Sequence, residues 1–428
     1  MTSVAPRLQL LLTGDELMSG DTVDSNSALI ARELGVVALR PDRRVTVGDD
    51  RAGLVRELAQ LVTQSDAVII NGGLGPTVDD RTAEVLAEVA GVELTEHPGA
   101  LEHLLAWCER RGLPLNDANR KQARLPAGCD LLPNPVGSAV GFVMEAGNCL
   151  VLCTPGVPGE LRAMLPHVID RLRERFAVRD RRQILRLQTF GLGESTAQQL
   201  VNDRFPDWPH EVELSFRAGA PQLEIKLSVA DETGLLLRDE CRARLEALFG
   251  DHIVGEGDTR IAARVIELAR DAGRTITCAE SCTGGMFAQL LTQIPGSSDV
   301  FPGGFVTYSN AMKHSVLGVR QTTLEEHGAV SEATVREMLG GALERAGADL
   351  GVAISGVAGP GGGSVEKPVG TVWIAWGGRD GIETVCLAWP VERVLFQTMV
   401  AAAALDALRR RLLGISEQSF YLRQRRVI

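Results

Sequence analysis

The stretch Ala279-Glu280-Ser281-Cys282-Thr283-Gly284-Gly285 has the residue types for acyl transfer. A short strand signal, Arg274 to Ala279, runs into it, and a helical signal, Met286 to Leu291, runs out. A serine at such a corner can point its hydroxyl into a cleft. The N–H groups of Thr283, Gly284 and Gly285 would open the helix, and orphan N–H groups at a helix start bind anions. The same donors can hold the oxyanion of an acyl-transfer intermediate. The alternative is an N-cap serine followed by glycines for tight packing. A serine nucleophile needs a base. Only His314 is a histidine close in sequence, and no distal His-plus-Asp pattern stands out. Tyr308 and Lys313 are the better candidates, since a lysine whose pKa is lowered by burial could keep the tyrosine activated. Each also has a plain reading: Tyr308 as a hydrogen-bonded core residue, Lys313 as a solvated surface charge.

A second glycine-rich run, Ser355-Gly356-Val357-Ala358-Gly359-Pro360-Gly361-Gly362-Gly363, invites comparison with a P-loop. No Lys-Ser or Lys-Thr closes it, and the segment after it reads as loop and strand rather than helix. It can instead bring backbone donors and Ser355 against a small ligand, or be a structural turn.

Two more loops near the N-terminus carry chemistry: Gly14-Asp15-Glu16, and Gly72-Gly73-Leu74-Gly75-Pro76-Thr77-Val78-Asp79-Asp80. Glycines let backbone N–H groups approach phosphate oxygens. Adjacent carboxylates could hold a divalent metal, magnesium or similar, that neutralises those phosphates. Asp49 and Asp50 follow a third strand and point to the same end. Asp15, Glu16, Asp49, Asp79 and Asp80 are therefore candidate metal ligands, and Gly14, Gly72, Gly73, Gly75 and Thr77 candidate phosphate contacts. A glycine turn followed by acidic N-cap residues is the competing account. Asn116 to Gln122 is a polar cluster in which Asn116, Arg120 and Lys121 are phosphate candidates, or simply a solvated helix start. Asn134 to Ala139 is a turn in which Ser138 could touch a ligand.

These residues need elements to hold them. Arg7 to Leu12, Val36 to Val47, Ala67 to Ile70 and Leu150 to Cys153 read as strands, with helices starting near Asp24 to Ser27, over Leu54 to Val62 and over Leu161 to Phe176. Strands alternating with helices imply a parallel sheet covered on both faces, with ligands beyond the carboxyl ends of the strands. Arg179 to Arg182 is a charged break. Ile184 to Phe190 and Leu223 to Val229 then read as strands, with Gly191 to Val201 (Ser195 as its cap) and Leu235 to Phe249 as helices. This is a small α+β module with no catalytic constellation, expected to be a spacer and dimerisation element. Beyond it come helices from Asp258-Thr259, from Ser331 to Ala346 and from Ala401 to Leu412, and strands over Leu350 to Ile354 and Val369 to Trp376. The predicted class is α/β, with segments 1–177, 178–256 and 257–415, and a basic tail, 416–428, read as disordered.

Composition narrows the function classes. The chain has 428 residues, is 45% hydrophobic and carries a formal net charge of −11. That charge argues against nucleic acid or an anionic membrane as the main partner. No apolar run reaches the ~18 residues of a membrane span. Met1 to Arg7 lacks the charged-then-apolar pattern of a signal peptide, so a cytoplasmic protein is expected. The 8 cysteines form no C-x-x-C pair and read as reduced thiols. With no H-E-x-x-H, a zinc site is not expected.

The motifs, taken in order, resemble the CinA family. Gly-Asp-Glu-Leu, Val-Gly-Asp-Asp, Gly-Gly-Leu-Gly-Pro-Thr-x-Asp-Asp, Asn-Arg-Lys-Gln-Ala, Asn-Pro-Val-Gly and Pro-Gly-Val-Pro-x-Glu look like its molybdopterin-binding-like domain, related to MoaB and MogA. That resemblance implies a three-layer α/β fold and metal-dependent ADP-ribose pyrophosphatase activity. Gly191-Leu192-Gly193-Glu194-Ser195 resembles the family's linker domain. Ala-Glu-Ser-Cys-Thr-Gly-Gly, Val-Thr-Tyr-Ser-Asn, Lys313 with Leu317-Gly318-Val319, His-Gly-Ala-Val-Ser, Ser-Gly-Val-Ala-Gly-Pro-Gly-Gly and Lys-Pro-Val-Gly-Thr-Val look like its C-terminal domain. This is the nicotinamide mononucleotide deamidase fold, also found as the stand-alone PncC protein, and no cofactor is implied for it. The resemblance puts the nucleophile at Ser281, a catalytic tyrosine at Tyr308 and a hydroxyl ligand at Ser355. Asn310, Gly356, Gly359 and Arg393 join the expected substrate contacts. Where the family has Gly-Asp-Arg and a further arginine, this chain has Val391-Glu392-Arg393 and Gln397. The expected picture is a homodimeric enzyme of pyridine-nucleotide salvage. It would act on nicotinamide mononucleotide and on ADP-ribose or a similar pyrophosphate, with neither membrane nor nucleic acid as partner.

Overall fold

A computed structural model describes residues 6–176 and 182–427. Most of the charged break, 179–181, thus lies outside the described residues. The chain divides into two compact units: Met1–Gln183 with Ala230–Glu232, and Ile184–Val229 with Thr233–Ile428. Among the described residues no helix is long and apolar enough to cross a membrane.

The first unit holds β1 (Leu8–Thr13), β2 (Pro41–Val47), β3 (Ala67–Asn71), β4 (Leu94–Glu96), β5 (Arg124–Pro126), β6 (Asp130–Leu132), β7 (Gly141–Ala146) and β8 (Cys149–Thr154). Six of them form one sheet in the order β2-β1-β3-β8-β7-β6. Side chains alternate across a strand, so a strand buried on both faces must be apolar throughout. β1 and β3 meet that condition. Leu8, Leu10, Leu12 and Ile69 face the helices Asn26–Val36 and Pro158–Phe176. Leu11, Val68 and Ile70 face the opposite core, with Leu54, Leu58 and Leu61 of the helix Arg51–Gln64. The layers are those expected, but the sheet is mixed. β2, β1, β3 and β8 are parallel, whereas β7 pairs antiparallel with both β8 and β6. The short Gly147-Asn148 connection between β7 and β8 allows only a hairpin, since a parallel return needs a crossover.

The second unit begins with a four-stranded sheet, β10-β11-β9-β12, built from β9 (Gln183–Thr189), β10 (Glu213–Gly219), β11 (Gln222–Val229) and β12 (Ile253–Glu256). The helix Leu235–Phe249 lies where expected. Ser195 does not cap its helix: Gly193 is the N-cap and Ser195 sits within Glu194–Arg204. Farther on, β13 (Ile276–Glu280), β14 (Gly303–Val306), β15 (Leu350–Gly356), β16 (Thr371–Gly378) and β17 (Gly381–Ala388) form a sheet in the order β14-β13-β15-β16-β17. Ile276, Cys278, Val352 and Ile354 face a core shared with the helices Ile261–Asp271, Met286–Thr292 and Arg393–Leu412. On the other face, Ala279, Ala353 and Ala375 are small enough for the helix Glu332–Ala346 to lie close. Gly341 of that helix is required: a Cβ there would overlap the Leu317 carbonyl at the end of the helix Asn310–Leu317.

Within this unit the small module and the larger sheet are tied by charge. Asp406, fully buried, accepts from Arg409 at 2.7 Å and Arg410 at 2.9 Å. Arg409 also donates to the backbone carbonyl of Asp251 at 2.5 Å. The last residues are not a disordered tail. Phe420–Arg425 is a helix, Leu422 is buried in the main core, and Arg426 bridges to Leu387 of β17. The basic composition suggested solvation, but one buried leucine and a strand edge suffice to dock the segment.

Candidate active site

Parallel pairing of β13 with β14 and β15 brings the carboxyl end of β13 to the same edge as the ends of its neighbours. Ser281 follows β13 directly, and its N–H donates to Ile354 of β15 at 3.0 Å. Its hydroxyl accepts from Lys313 Nζ at 2.9 Å. Lys313 is 1% exposed. It is buried because the helix Asn310–Leu317, capped by Ser309, turns Lys313 and Leu317 inward together. Its ammonium also reaches the Thr307 carbonyl at 2.9 Å and the Tyr308 carbonyl at 3.3 Å. All three acceptors are neutral. Burial therefore lowers the Lys313 pKa from the ordinary lysine value. The adjacent Cys282 thiol is pushed by burial up to about 12, so it is inert as a nucleophile.

Glu280 was not among the expected site residues. It is fully buried, and its carboxylate accepts from the N–H groups of Gly285 at 3.0 Å, Phe287 at 3.1 Å and Ala288 at 2.9 Å. It thus occupies the N-terminal donors of the helix Met286–Thr292. The sequence signal was an acidic residue closing an apolar strand immediately before a helix. This corrects the expected oxyanion hole. Gly285 is engaged by Glu280, and Gly284 N–H donates to the Ser281 carbonyl at 3.1 Å. Among the described residues, the N–H groups of Cys282 and Thr283 are the ones at this corner with no protein acceptor. The hydroxyls of Thr283 and Thr307, both buried, are also without partners.

The Tyr308 hydroxyl makes no hydrogen bond to Ser281 among the described residues. Tyr308 is 60% exposed, and its hydroxyl accepts from Arg393 Nη2 at 2.9 Å. Arg393 Nη1 donates to the Gly359 carbonyl at 2.7 Å, joining the second glycine loop to the same mouth. Gln397, one helical turn on, donates from Nε2 to the Cys282 carbonyl at 2.9 Å. Ser355 is buried with its hydroxyl donating to the Ala329 carbonyl at 2.7 Å, which leaves it acceptor capacity only. Gly356 ends β15, and Asn310 is exposed at the first turn of the Lys313 helix.

In the first unit, a cavity of about 550 Å³ lies at the carboxyl ends of β1, β3 and β8. Gly14, Glu16, Asp49, Gly72, Gly73, Gly75, Asp79, Asp80 and Ser138 line it, as the sequence suggested. So does Glu160, which also accepts from Asn134 at 2.8 Å. Asp15 is turned to Asp49: its carboxylate accepts from the Asp49 N–H at 3.0 Å, and Asp49 accepts from the Asp15 N–H at 3.0 Å. Burial raises the Asp49 pKa, opposed by that N–H and reinforced by the charges of Asp15, Glu16 and Asp79. Thr77 does not line the cavity; its N–H and hydroxyl serve Asp80 at 2.9 and 2.5 Å. Asn116 is likewise a correction. It is exposed and caps the helix Asp117–Arg120 by accepting from Asn119 at 2.7 Å, the plain alternative. Arg120 pairs with Glu96 at 2.6 Å. Lys121 lines a second cavity of about 420 Å³ across the glycine loop, and donates to the carbonyls of Thr77 and Asp80. Thr13 Oγ1 and Gln122 Oε1, buried at the first cavity, have no protein partner. Among the described residues, no three His, Cys, Asp or Glu stand close enough to hold an ion by themselves.

Fold and sites together describe a two-unit α/β chain with a glycine-rich acidic cavity in one unit and a serine–lysine pair in the other. Residues 9–174 match the family described as "Probable molybdopterin binding domain", and residues 258–412 match "CinA C-terminal domain". A CinA-like protein of Colwellia psychrerythraea is 48% identical over 425 residues, 98% of each chain. One of Citrifermentans bemidjiense is 40% identical over 411 residues, 95% of this chain and 98% of that one. A solved competence-damaged protein (CinA) superfamily structure from Klebsiella pneumoniae is 41% identical, covering 36% of this chain and 96% of that one, with a TM-score of 0.35. The chain belongs to the CinA-like family.

Proposed function

We propose that the second unit hydrolyses the carboxamide of nicotinamide mononucleotide. The observation that carries this reading is the 2.9 Å contact of a buried lysine, without a carboxylate partner, with Ser281 Oγ. A neutral Lys313 takes the Ser281 proton as Oγ attacks the carboxamide carbon. The N–H groups of Cys282 and Thr283 receive the oxyanion. Collapse breaks the C–N bond, and the Lys313 ammonium gives its proton to the departing ammonia. Water then attacks the acyl-serine, passing a proton through Lys313 back to Ser281, and releases the nicotinate nucleotide. Arg393, at the mouth, suits the substrate phosphate.

The first unit is proposed to cleave a pyrophosphate such as ADP-ribose. Its cavity repels phosphates unless a cation joins them, because Glu16, Asp49, Asp79, Asp80 and Glu160 surround it. Burial raises the Asp49 pKa first and the charges of Asp15, Glu16 and Asp79 add to it; a bound cation would offset that charge. Glu16 and Asp49 suit a magnesium-like ion that arrives with phosphate, since such ions commonly take one or two carboxylates plus substrate oxygens. The ion would polarise the phosphoryl group and neutralise its charge. Pterin binding without turnover is the second reading, favoured by the match of residues 9–174. Incubation with nicotinamide mononucleotide and ADP-ribose, with and without EDTA, tests both. No ammonia release removes the first proposal, and intact ADP-ribose with added magnesium leaves the binding reading.

A further inference from the structure

Gln397 lies where the family resemblance expected a second arginine, yet its side chain faces the protein. Its Nε2 donates to the Cys282 carbonyl at 2.9 Å. Only the amide nitrogen can donate to a carbonyl, so the chemistry fixes the orientation of the amide. The Cys282 carbonyl shares a peptide unit with the Thr283 N–H. Peptide bonds are planar and trans, so the C=O and N–H of one unit point in opposite directions. Holding the carbonyl from one side therefore aims the N–H to the other. That N–H is one of the two left without a protein acceptor beside Ser281. A donor on the carbonyl also polarises the unit and strengthens the N–H as a donor.

The helix that carries Gln397 is itself held. Glu392 caps it, accepting from Val394 at 3.0 Å and Leu395 at 3.2 Å. Arg393, four residues before Gln397 and on the same face, grips the Gly359 carbonyl and the Tyr308 hydroxyl.

We propose that Gln397 is a positioning residue: it sets the Cys282–Thr283 peptide so that the Thr283 N–H receives the oxyanion formed on attack by Ser281. This rests on the reading of Ser281 as nucleophile. One of the two N–H groups on Gln397 Nε2 is spent on this carbonyl, so a phosphate contact through the other is the rival role that the KM measurement below separates.

The test uses the full chain and a fluorophosphonate, which reacts with an activated serine through a charged oxygen. The labelling rate at Ser281 is measured by mass spectrometry in wild type, Gln397→Ala, Gln397→Glu, Gln397→Arg and Ser281→Ala. kcat and KM on nicotinamide mononucleotide, and thermal stability, are measured in parallel. Removing an oxyanion donor outright costs about 10²–10³ in rate, so loss of its orientation should slow labelling and kcat by about tenfold. KM and the melting temperature should stay near wild type. Gln397→Glu, which cannot donate, should be at least as slow, and Gln397→Arg should recover most of the rate. A raised KM with unchanged kcat would overturn the proposal in favour of a phosphate contact. Wild-type rates in Gln397→Ala and Gln397→Glu would overturn it while leaving Ser281, silent as alanine, as the nucleophile. A wild-type protein that neither labels at Ser281 nor turns over would remove the underlying reading and this proposal with it.

Discussion

The two candidate sites solve the problem of charge in opposite ways. Among the described residues, the ionisable group hydrogen-bonded to the Ser281 hydroxyl is a lysine buried among neutral acceptors, whose charge the surroundings disfavour. At the Gly72–Asp80 loop, carboxylates crowd one cavity, and partial burial, reinforced by the neighbouring charges, raises the pKa of Asp49 among them. On the proposed reading the first site draws on the chain alone: Ser281, Lys313 and the N–H groups of Cys282 and Thr283. On the same reading the second would need a cation, because its carboxylates repel an incoming phosphate. The lysine of the first site is buried, whereas the carboxylates of the second are exposed or half-buried, so one site turns on desolvation and the other on crowded like charge.

The contrast is tested most severely by removing the lysine. Lys313→Met keeps the stem and deletes the amine, and Ser281→Ala deletes the nucleophile. Each should lower amide hydrolysis by roughly 10³-fold or more, and the double variant should lose little beyond either single one. Pyrophosphate cleavage should be unchanged. Lys313→Met should also fold at least as well as wild type. The folded-state pKa is depressed, so between it and the ordinary lysine value the unfolded chain binds more protons, and stability rises with pH. Methionine removes that dependence, and a pH series of melting curves reads it. A Lys313→Met protein with more than about a tenth of wild-type turnover would leave the lysine as a structural prop.

The acidic site should fail in a different way. EDTA, or Asp49→Asn in the presence of magnesium, should lower ADP-ribose cleavage by about 10²-fold or more while ammonia release continues. Product analysis by chromatography separates the two. A chelator that silences the amidase as well would erase the distinction drawn between the sites.

A smaller effect is expected from pH. In both sites the deprotonated group is the working one, so both rates should climb as pH rises. Lys313 is lowered from 10.5, so amide hydrolysis should level off below the ordinary lysine range. Asp49 is raised from 3.8, so cation-dependent cleavage should gain its activity above the ordinary aspartate range. An amidase profile still rising steeply past pH 10.5 would mean that Lys313 titrates as an exposed lysine.

What the sequence made legible follows the same division. Periodicity found the doubly buried strands because Leu8–Thr13 and Ala67–Asn71 can be apolar only if both faces are covered. Glycines and acids marked the first cavity because they fall just past strands whose carboxyl ends share one edge of the sheet. The sequence could not show that Asn116 spends its side chain on a cap, or that Thr77 is absorbed by Asp80. Both depend on a local turn, whose backbone donors are invisible to composition. It also ranked Tyr308 first, as the proton acceptor, with Lys313 assisting it. Burial favours the reverse order: Lys313 is buried on the same face as Leu317 and reaches Ser281 Oγ at 2.9 Å, while the Tyr308 side chain is exposed. Glu280 was missed because its three acceptor contacts arise from the way the chain doubles back after Ser281.

The smallest effect should come from Tyr308→Phe, and it separates the observed arrangement from the one the resemblance implied. If the tyrosine were the base, its loss would cost about 10²–10⁴ in kcat. Its hydroxyl instead accepts from Arg393 Nη2 at a position 60% exposed. Removing an exposed acceptor leaves Arg393 to water, so the variant forfeits at most about 1 kcal/mol. That loss should fall on the mouth of the site, where Arg393 and the Gly359 carbonyl meet, and not on Ser281. Steady-state kinetics should then show KM raised by a few-fold and kcat within about twofold of wild type, since the interaction concerns binding and not the transition state. A kcat reduced about a hundredfold, with the Lys313→Met variant still active, would transfer the base from the buried amine to the exposed phenol. Deamidation would then proceed in a solvated mouth, and the contrast between a dry lysine site and a charged, cation-dependent one would no longer hold.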